Sequence, residues 1–321
     1  MIKKVLLGLV LVVVLVFMAF AAYVGSRQHL KFDRPYPAVT ASTDSTVVAR
    51  GHYVVRRLAN CAQCHGDPKL TERNLEGEEV PLSGGFAFKI PPGEFYARNI
   101  TPDAATGIGR FTDGEVARAL RSGVGHDGRA LLPFMEMQGL SDEDLSAVVS
   151  YLRSQPPVSN PVPSHKPNLL GQIVIATVLA NPVGPKEAPP QASPRGATLE
   201  NGKYLAESVA LCWACHTQRD MKTGALVGSR FGGATMPDDL NPKRTWAPPN
   251  LTSDPTTGRL AKFSEDEFVA RFRQGRVLPG SPMPWQGFRN LEEDDLRAIY
   301  RYLKSLPPVV HDVGPPYVDK P

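Results

Sequence analysis

Two copies of one pattern run along this chain, and each copy contains the motif Cys-x-x-Cys-His. The segment "RGHYVVRRLANCAQCH" at 50–65 aligns without a gap with "NGKYLAESVALCWACH" at 201–216. Two further pairs of blocks follow in the same order: 99–123 with 250–275, and 134–158 with 282–309. Three blocks in one order indicate a duplicated domain. All 4 cysteines lie in the two motifs, namely Cys61, Cys64, Cys212 and Cys215.

The local signals inside each copy are helical. Thr112 with Glu115, and Ser264 with Glu267, have the spacing of a capping box at the start of a helix. Ser141 is placed to cap the last helix of the first copy, and a Pro-Pro pair ends that helix. No long alternation of apolar and polar residues indicates a sheet. The predicted fold class is all-α, with three short helices joined by long loops in each copy.

The long loops and the composition suggest a bound group that is not polypeptide. Segments 66–110 and 217–262 are longer than loops in compact domains usually are, and the chain has 31 prolines and 28 glycines. Such loops make sense if they enclose something large and apolar. The formal net charge is only +4, without the concentrated basic face of a nucleic-acid binder. We therefore expect no nucleic-acid partner.

Three chemistries use paired cysteines two residues apart. Structural zinc needs four ligands, which two such pairs can supply together, but each pair here belongs to its own copy and is followed by a histidine. A redox dithiol of the thioredoxin type is expected beside a βαβ pattern, which this sequence lacks. Covalent haem attachment uses every residue of the motif, because two thiols add to the two vinyl groups and the histidine binds iron.

The motifs therefore predict two covalently attached haem c groups. His65 and His216 are the expected iron ligands, each fixed by the thioether bonds beside it. Covalent attachment of haem takes place outside the bacterial cytoplasm, which agrees with the N-terminus described below.

At residues 45–158 and 197–310 the chain resembles the class I cytochrome c family, which has Cys-x-x-Cys-His after a first helix, a late methionine and a closing helix. The blocks "NITPD" and "NLTSD", each followed by Thr-Gly, are similar to those in cytochrome subunits of membrane-bound alcohol and gluconate dehydrogenases. Those subunits carry three haem sites, whereas this chain has two motifs. The resemblance implies two tandem cytochrome c domains, each with short helices and long loops around one haem.

The resemblance also implies a methionine as the second axial ligand of each iron. Met283, in "SPMPWQG", stands at the family position, and the repeat alignment then selects Met135 in "PFMEMQG". Met137 aligns with a tryptophan and is expected to pack, while Met236 is a weaker alternative for the second haem. Met221 is expected to be structural.

The N-terminus predicts export and a membrane anchor. Two lysines precede an uncharged apolar run from Val5 to Val24, about 20 residues, which at 1.5 Å per residue covers roughly 30 Å of bilayer. The alternative is a cleaved signal peptide, whose apolar core is usually about 7–15 residues. We expect residues 1–25 to be an anchor in the bacterial cytoplasmic membrane, with the haem domains in the periplasm.

Residues 159–196 form a proline-rich linker and 311–321 a C-terminal tail. The middle of the linker, 169–180, is apolar but too short to span a bilayer. It either packs between the domains or lies against the membrane.

Methionine–histidine ligation fills both axial positions of an iron and raises its potential, which suits a carrier of electrons. The leading hypothesis is electron transfer from a periplasmic dehydrogenase or quinol-linked complex to an oxidase or soluble cytochrome. The chain has no dinucleotide-binding Gly-x-Gly-x-x-Gly, so as a subunit of an alcohol or sugar dehydrogenase it would leave catalysis to a partner. A third hypothesis is a haem enzyme of the cytochrome c peroxidase or thiosulfate dehydrogenase type, in which His126 would serve near iron.

Overall fold

The computed structural model describes residues 2–220, 224–238 and 241–319. Met221 and the last two residues of the tail lie outside these ranges. Helix α1, Ile2–Ser26, is exposed along its whole length except at Val24. Within the described part of the chain it is the one helix long and apolar enough to cross a membrane, and it is compatible with an anchor.

Eleven further α-helices follow in the described residues, and the polypeptide is mainly helical as the sequence predicts. They are α2 (Ser45–His52), α3 (Ala62–His65), α4 (Thr71–Glu76), α5 (Asp113–Ser122), α6 (Asp142–Ser154), α7 (Leu169–Thr177), α8 (Leu199–Tyr204), α9 (Cys212–Cys215), α10 (Glu265–Arg273), α11 (Trp285–Phe288) and α12 (Glu293–Ser305). Short 3₁₀ segments lie at Pro68–Leu70, Val178–Ala180 and Arg259–Lys262.

The capping residues lie where the sequence places them. Thr112 and Glu115 form a complete capping box at the start of α5, and Ser264 and Glu267 form one at the start of α10. The Ser141 side chain accepts a hydrogen bond from an N–H in the first turn of α6. These residues satisfy backbone donors that a helix cannot pair internally.

In each copy the first helix crosses the last helix at a glycine. A Cβ atom built on Gly51 of α2 would lie 1.9 Å from the Ala147 carbonyl oxygen of α6. Gly202 of α8 has the same 1.9 Å approach to the Ala298 carbonyl of α12. Both crossings therefore require a residue without a side chain.

Two small sheets depart from the all-α prediction. Strands β1 (Ala87–Ile90), β2 (Gly93–Tyr96) and β3 (Lys166–Pro167) form one antiparallel sheet, and β4 (Met236–Pro237), β5 (Arg244–Trp246) and β6 (Tyr317–Asp319) form the other. The strands have two to four residues, too few to show an alternating pattern in the sequence. Each third strand comes from the linker or the tail.

The two copies share one apolar core, which contains buried residues of both, among them Leu145 and Leu296. Two reciprocal hydrogen bonds cross between the copies. The Tyr53 hydroxyl donates to Asp295 Oδ2 at 2.7 Å, and the Tyr204 hydroxyl donates to Asp144 Oδ2 at 2.7 Å. Since Tyr53 aligns with Tyr204 and Asp144 with Asp295, the copies contact each other through matching surfaces.

Candidate haem-attachment sites

Each cysteine motif follows a helix that changes from an α-helix to a π-helix before it ends. Helix α2 continues as a π-helix at Tyr53–Leu58, and α8 continues as one at Leu205–Val209. π-Helical turns are rare and occur often at functional sites. The residue just before the first cysteine then has a left-handed backbone, with φ of 48° at Asn60 and 49° at Leu211. This conformation turns the chain, so that α3 and α9 present the motif in a new direction.

Both motif histidines are held by the same kind of hydrogen bond. His65 Nδ1 lies 2.7 Å from the carbonyl oxygen of Arg98, and His216 Nδ1 lies 2.8 Å from that of Pro249. Because a carbonyl only accepts, Nδ1 carries the hydrogen in each ring, and the Nε2 lone pair remains for a metal. Metal-ligating histidines are typically oriented in this way.

Burial sets the protonation of the motif side chains. It lowers the pKa of the His65 and His216 imidazoles, which favours the neutral ring that a metal requires. It raises the pKa of the Cys61 thiol to about 11 and that of Cys212 to about 12. Reactive dithiols and metal thiolates have lowered values instead. The Cys61 and Cys212 thiols therefore lack the lowered pKa of a redox dithiol or a metal thiolate.

The zinc alternative lacks a converging ligand set. In the ranges that the structure describes, no group of three or more His, Cys, Asp or Glu side chains is placed to hold one metal ion. The two cysteine pairs thus remain separate, each beside its own histidine. This separation favours one attachment site per motif.

The methionine segments differ in their packing. Met283 and Met137 pack against the apolar core. Met135, two residues before Met137, is half-buried, and its carbonyl accepts a hydrogen bond from Gln138 Nε2 at 3.1 Å. Met236 lies in β4, opposite Trp246. His126 is exposed and stacks on Phe111, with ring centroids 4.0 Å apart. The ligand roles of Met135 and Met283 remain expectations from the sequence.

Residues in or shortly after each motif contact the methionine segment of the other copy. Gln63, between the cysteines of the first motif, donates through Nε2 to the carbonyl of Pro282 at 3.2 Å, directly before Met283. In the reverse direction, Arg219 Nη2 lies 3.5 Å from Glu136 Oε1, directly after Met135. The two candidate sites are therefore neighbours across the surface that joins the copies.

The Arg276 guanidinium, seven residues before Met283 in the sequence, tests whether the second site suits a haem. Arg276 Nη2 donates to Gln286 Oε1 at 2.9 Å, but its Nε and Nη1 atoms are buried without a hydrogen-bond partner in the described residues. Unsatisfied buried donors are costly, and a haem propionate is the kind of acceptor they need. Together with the oriented histidines, this arginine indicates that the residues of the second site fit a covalently bound haem.

Two asparagines of the repeated blocks fix loops. Asn99 Nδ2 donates to the carbonyl of Val158 at 2.8 Å, and Asn250 Nδ2 donates to that of Val309 at 2.6 Å. Each asparagine thus ties a long loop to the segment that follows the last helix of its copy. The sequence gives a signal for this role, because the two asparagines are the first residues of the repeated blocks 99–123 and 250–275.

Comparison with known proteins identifies the class of this molecule. Residues 199–307 match the family model for cytochrome c. The chain therefore contains a cytochrome c domain at this segment, and this helical fold implies covalently bound haem c.

Three relatives place it more closely. It is 33% identical over 300 residues to the cytochrome c subunit of a quinone-dependent alcohol dehydrogenase of Gluconacetobacter polyoxogenes, with 86% of this chain and 59% of the relative covered. It is 30% identical over 288 residues to a gluconate 2-dehydrogenase cytochrome c subunit of Pantoea cypripedii, covering 82% and 60%. A dihaem c-type cytochrome of Cereibacter sphaeroides is 25% identical over 268 residues, covering 78% and 82%. The chain thus spans about three fifths of the two dehydrogenase subunits, and the resemblance that the sequence indicated is confirmed.

Proposed function

We propose that this protein is a membrane-anchored dihaem cytochrome that transfers electrons for a membrane-bound dehydrogenase. Its relatives are cytochrome subunits of alcohol and gluconate dehydrogenases. The haem groups would supply one-electron chemistry, and the polypeptide provides attachment, orientation and enclosure. The observation that carries the proposal is the matched pair of motifs, each with a left-handed residue, a π-helix and a histidine bonded to a carbonyl.

The domain arrangement belongs to this proposal. Residues 45–158 and 197–310 would be two tandem cytochrome c domains, separated by the linker at 159–196 and followed by the tail at 311–321. The equivalent helix crossings at Gly51 and Gly202 support it. The third strands β3 and β6 extend each unit by several residues beyond these limits.

The site residues are proposed in the same way for both domains. Cysteines form the thioethers, histidines and methionines bind iron, and the sites are made of Cys61, Cys64, His65 and Met135, and of Cys212, Cys215, His216 and Met283. The contacts between the region of each motif and the methionine segment of the other copy support electron transfer between the two proposed haems. Arg276 would bind a propionate of the second haem.

The orientation follows from haem chemistry, since covalent attachment occurs outside the cytoplasm. Helix α1 would anchor the chain in the cytoplasmic membrane with both domains in the periplasm. The donor would be a dehydrogenase or a quinol-linked complex, and the acceptor an oxidase or a soluble cytochrome. Catalysis on the organic substrate would reside in the partner.

Purification of the full-length protein from detergent-solubilised membranes tests the proposal. Mass spectrometry should show two covalently bound haems on the polypeptide. The oxidised protein should show the near-infrared band of methionine-ligated haem, and a redox titration should resolve two one-electron centres. A dehydrogenase subunit should co-purify and reduce both centres on addition of its substrate. One bound haem, or turnover with peroxide by the isolated chain, would refute the proposed function.

A further inference from the structure

The middle of the linker presents apolar side chains that the rest of the described molecule does not cover. Helix α7 and the residues after it expose Leu169 at 72%, Leu170 at 49%, Val178 at 64% and Val183 at 44%. We call these four residues the α7 surface. Apolar residues that are exposed together mark interaction sites more often than isolated ones do.

Helix α7 lies beside the end of helix α1. Arg27 Nε donates to the Ala176 carbonyl at 2.8 Å, and Gln28 Nε2 donates to the Gln172 carbonyl at 2.9 Å. Val24, near the end of the apolar run, is buried there. Since that run of about 20 residues matches the roughly 30 Å of a bilayer core, its last turn marks the level where lipid meets water. Helix α7 is held at that level.

The charges around α7 suit the headgroup layer of a membrane. No acidic residue occurs between Asp144 and Glu187, whereas Lys166 and Lys186 flank the apolar segment. The guanidinium of Arg27 lies 5.1 Å from the centre of the Tyr23 ring, and aromatic and basic side chains are both typical of the interface. Short apolar helices with basic neighbours lie in this layer without crossing it.

Helix α7 is also attached firmly to the first copy. Strand β3, directly before it, pairs with β2, and Asn168 Nδ2 donates to the Pro91 carbonyl at 2.8 Å. In the same linker the carbonyl of Pro163 accepts from Arg98 Nη1 at 2.9 Å, and the Arg98 carbonyl binds His65. Any surface that contacts α7 therefore fixes the orientation of the first motif.

We propose that the α7 surface inserts into the lipid headgroup region beside α1, so that the membrane holds the protein at two points. This inference rests on the proposed membrane anchor. Continuity with α1 selects lipid as the occupant, because a bilayer that surrounds the apolar run reaches α7 without any further partner. The second contact restricts rotation about α1 and presents the first motif at a fixed angle to the membrane.

Photo-cross-linking of the full-length protein tests the inference. The photoreactive residue p-benzoyl-phenylalanine is incorporated singly at the positions of Leu170 and Val178, and at two control positions. Val13 lies within α1 and is 60% exposed, whereas Val310 is 79% exposed and lies far along the chain. Each protein is reconstituted into vesicles of phosphatidylethanolamine and phosphatidylglycerol, irradiated and digested. Mass spectrometry then separates lipid adducts from cross-linked peptides.

We expect lipid adducts at positions 13, 170 and 178 and none at position 310. Adducts at 13 without adducts at both 170 and 178 would overturn the α7 inference and leave the anchor intact. Cross-links from 170 or 178 to polypeptide in place of lipid would show that a protein covers the surface, which also overturns it. Absence of lipid at position 13 would refute the anchor itself.

Discussion

At the scale of single residues, the unsatisfied atoms of Arg276 give a direct test of the second site. Replacement by leucine, Arg276→Leu, removes a positive charge that would stabilise the reduced state of the second haem if Arg276 binds its propionate as proposed. We expect the midpoint potential of one centre to fall by about 60 mV, the value for a tenfold change in a one-electron equilibrium. Potentiometric titration of the haem bands measures this shift.

Two controls accompany that titration. Arg276→Lys keeps the charge and should retain most of the potential. Arg289→Leu removes an exposed charge close to Gly275, where solvent screens it, and should change the potential little. An unchanged potential in Arg276→Leu would place the guanidinium away from the haem.

The buried carboxylate of Asp144 makes a second prediction. Burial raises its pKa, but the hydrogen bonds and charge of Arg50, with Nε at 2.7 Å, outweigh this and hold the pKa below its ordinary value of 3.8. Asp144→Asn leaves Arg50 buried without its ion partner, which costs about 3–5 kcal/mol for a buried pair. Denaturant unfolding at neutral pH measures the loss.

The sign of the pH dependence follows from the lowered value. When folding lowers the pKa of a carboxyl, the carboxylate stabilises the fold fully at pH values above its pKa in the unfolded chain. This stabilisation is lost as the pH falls through its pKa in the folded protein. The wild type should lose this contribution below about pH 3.8, and Asp144→Asn should lack that part of the profile. The control is Asp295→Asn, which weakens the hydrogen bonds that Asp295 accepts from Asn201 at 2.8 Å and from Tyr53 at 2.7 Å. It keeps the ion pair of Arg50 with Asp144 and should cost less, about 1.5–3 kcal/mol. Equal costs for both variants would contradict the account.

At the scale of elements, the glycine crossings make a third prediction. Gly51→Ala and Gly202→Ala each bring a methyl group within 1.9 Å of a carbonyl on a backbone that cannot move away without separating two helices. Overpacking of this kind costs about 1–3 kcal/mol or more. Thermal unfolding should show a lower Tm for both variants. Gly184→Ala, which meets nothing within 4 Å, is the control and should leave Tm unchanged.

Local sequence signals predicted where several helices begin and where the cysteine motifs lie. The capping residues Thr112, Ser141 and Ser264 mark helix starts that the structure confirms, because a cap depends on neighbours three residues away. Helix α12 begins after Glu292, whose side chain makes no capping hydrogen bond, in contrast to Ser141 at the matching position of the first copy. The cysteine motifs were evident for the same reason, being short and contiguous.

The remaining features depend on distant parts of the chain. Strands β3 and β6 have two and three residues, and nothing in their own sequence indicates the partners β2 and β5. The left-handed conformation of Leu211 is rare for a large side chain, so composition gives no signal for it. The link from Tyr53 to Asp295 spans 242 residues of sequence. Only the alignment of the repeats could have suggested it.

At the scale of the whole molecule, the repeat produces two units that are not independent. Their buried side chains form one apolar cluster, and the hydroxyls of Tyr53 and Tyr204 each bind a carboxylate of the other copy. Burial and the neighbouring carboxylate raise the pKa of both tyrosines, so the hydroxyls stay protonated and continue to donate. The surface joining the copies is therefore apolar in its core and carries matching hydrogen bonds from both copies.

A shared core predicts a single cooperative unfolding transition for both units. Gly51→Ala disturbs only the first copy by contact, yet it should lower the hydrogen-exchange protection of α8 and α12 together with that of α2 and α6, because the units lose the same core. The double variant Tyr53→Phe with Tyr204→Phe removes the two tyrosine-to-carboxylate hydrogen bonds between the copies and should weaken this coupling, at about 1.5–3 kcal/mol for each bond to a charged group. Tyr96→Phe, which removes a hydroxyl that bonds Glu94 within one strand, is the matched control. Hydrogen exchange followed by mass spectrometry on the haem-loaded chain measures the protection of each helix separately. If Gly51→Ala left the protection of α8 and α12 unchanged, the two units would unfold independently.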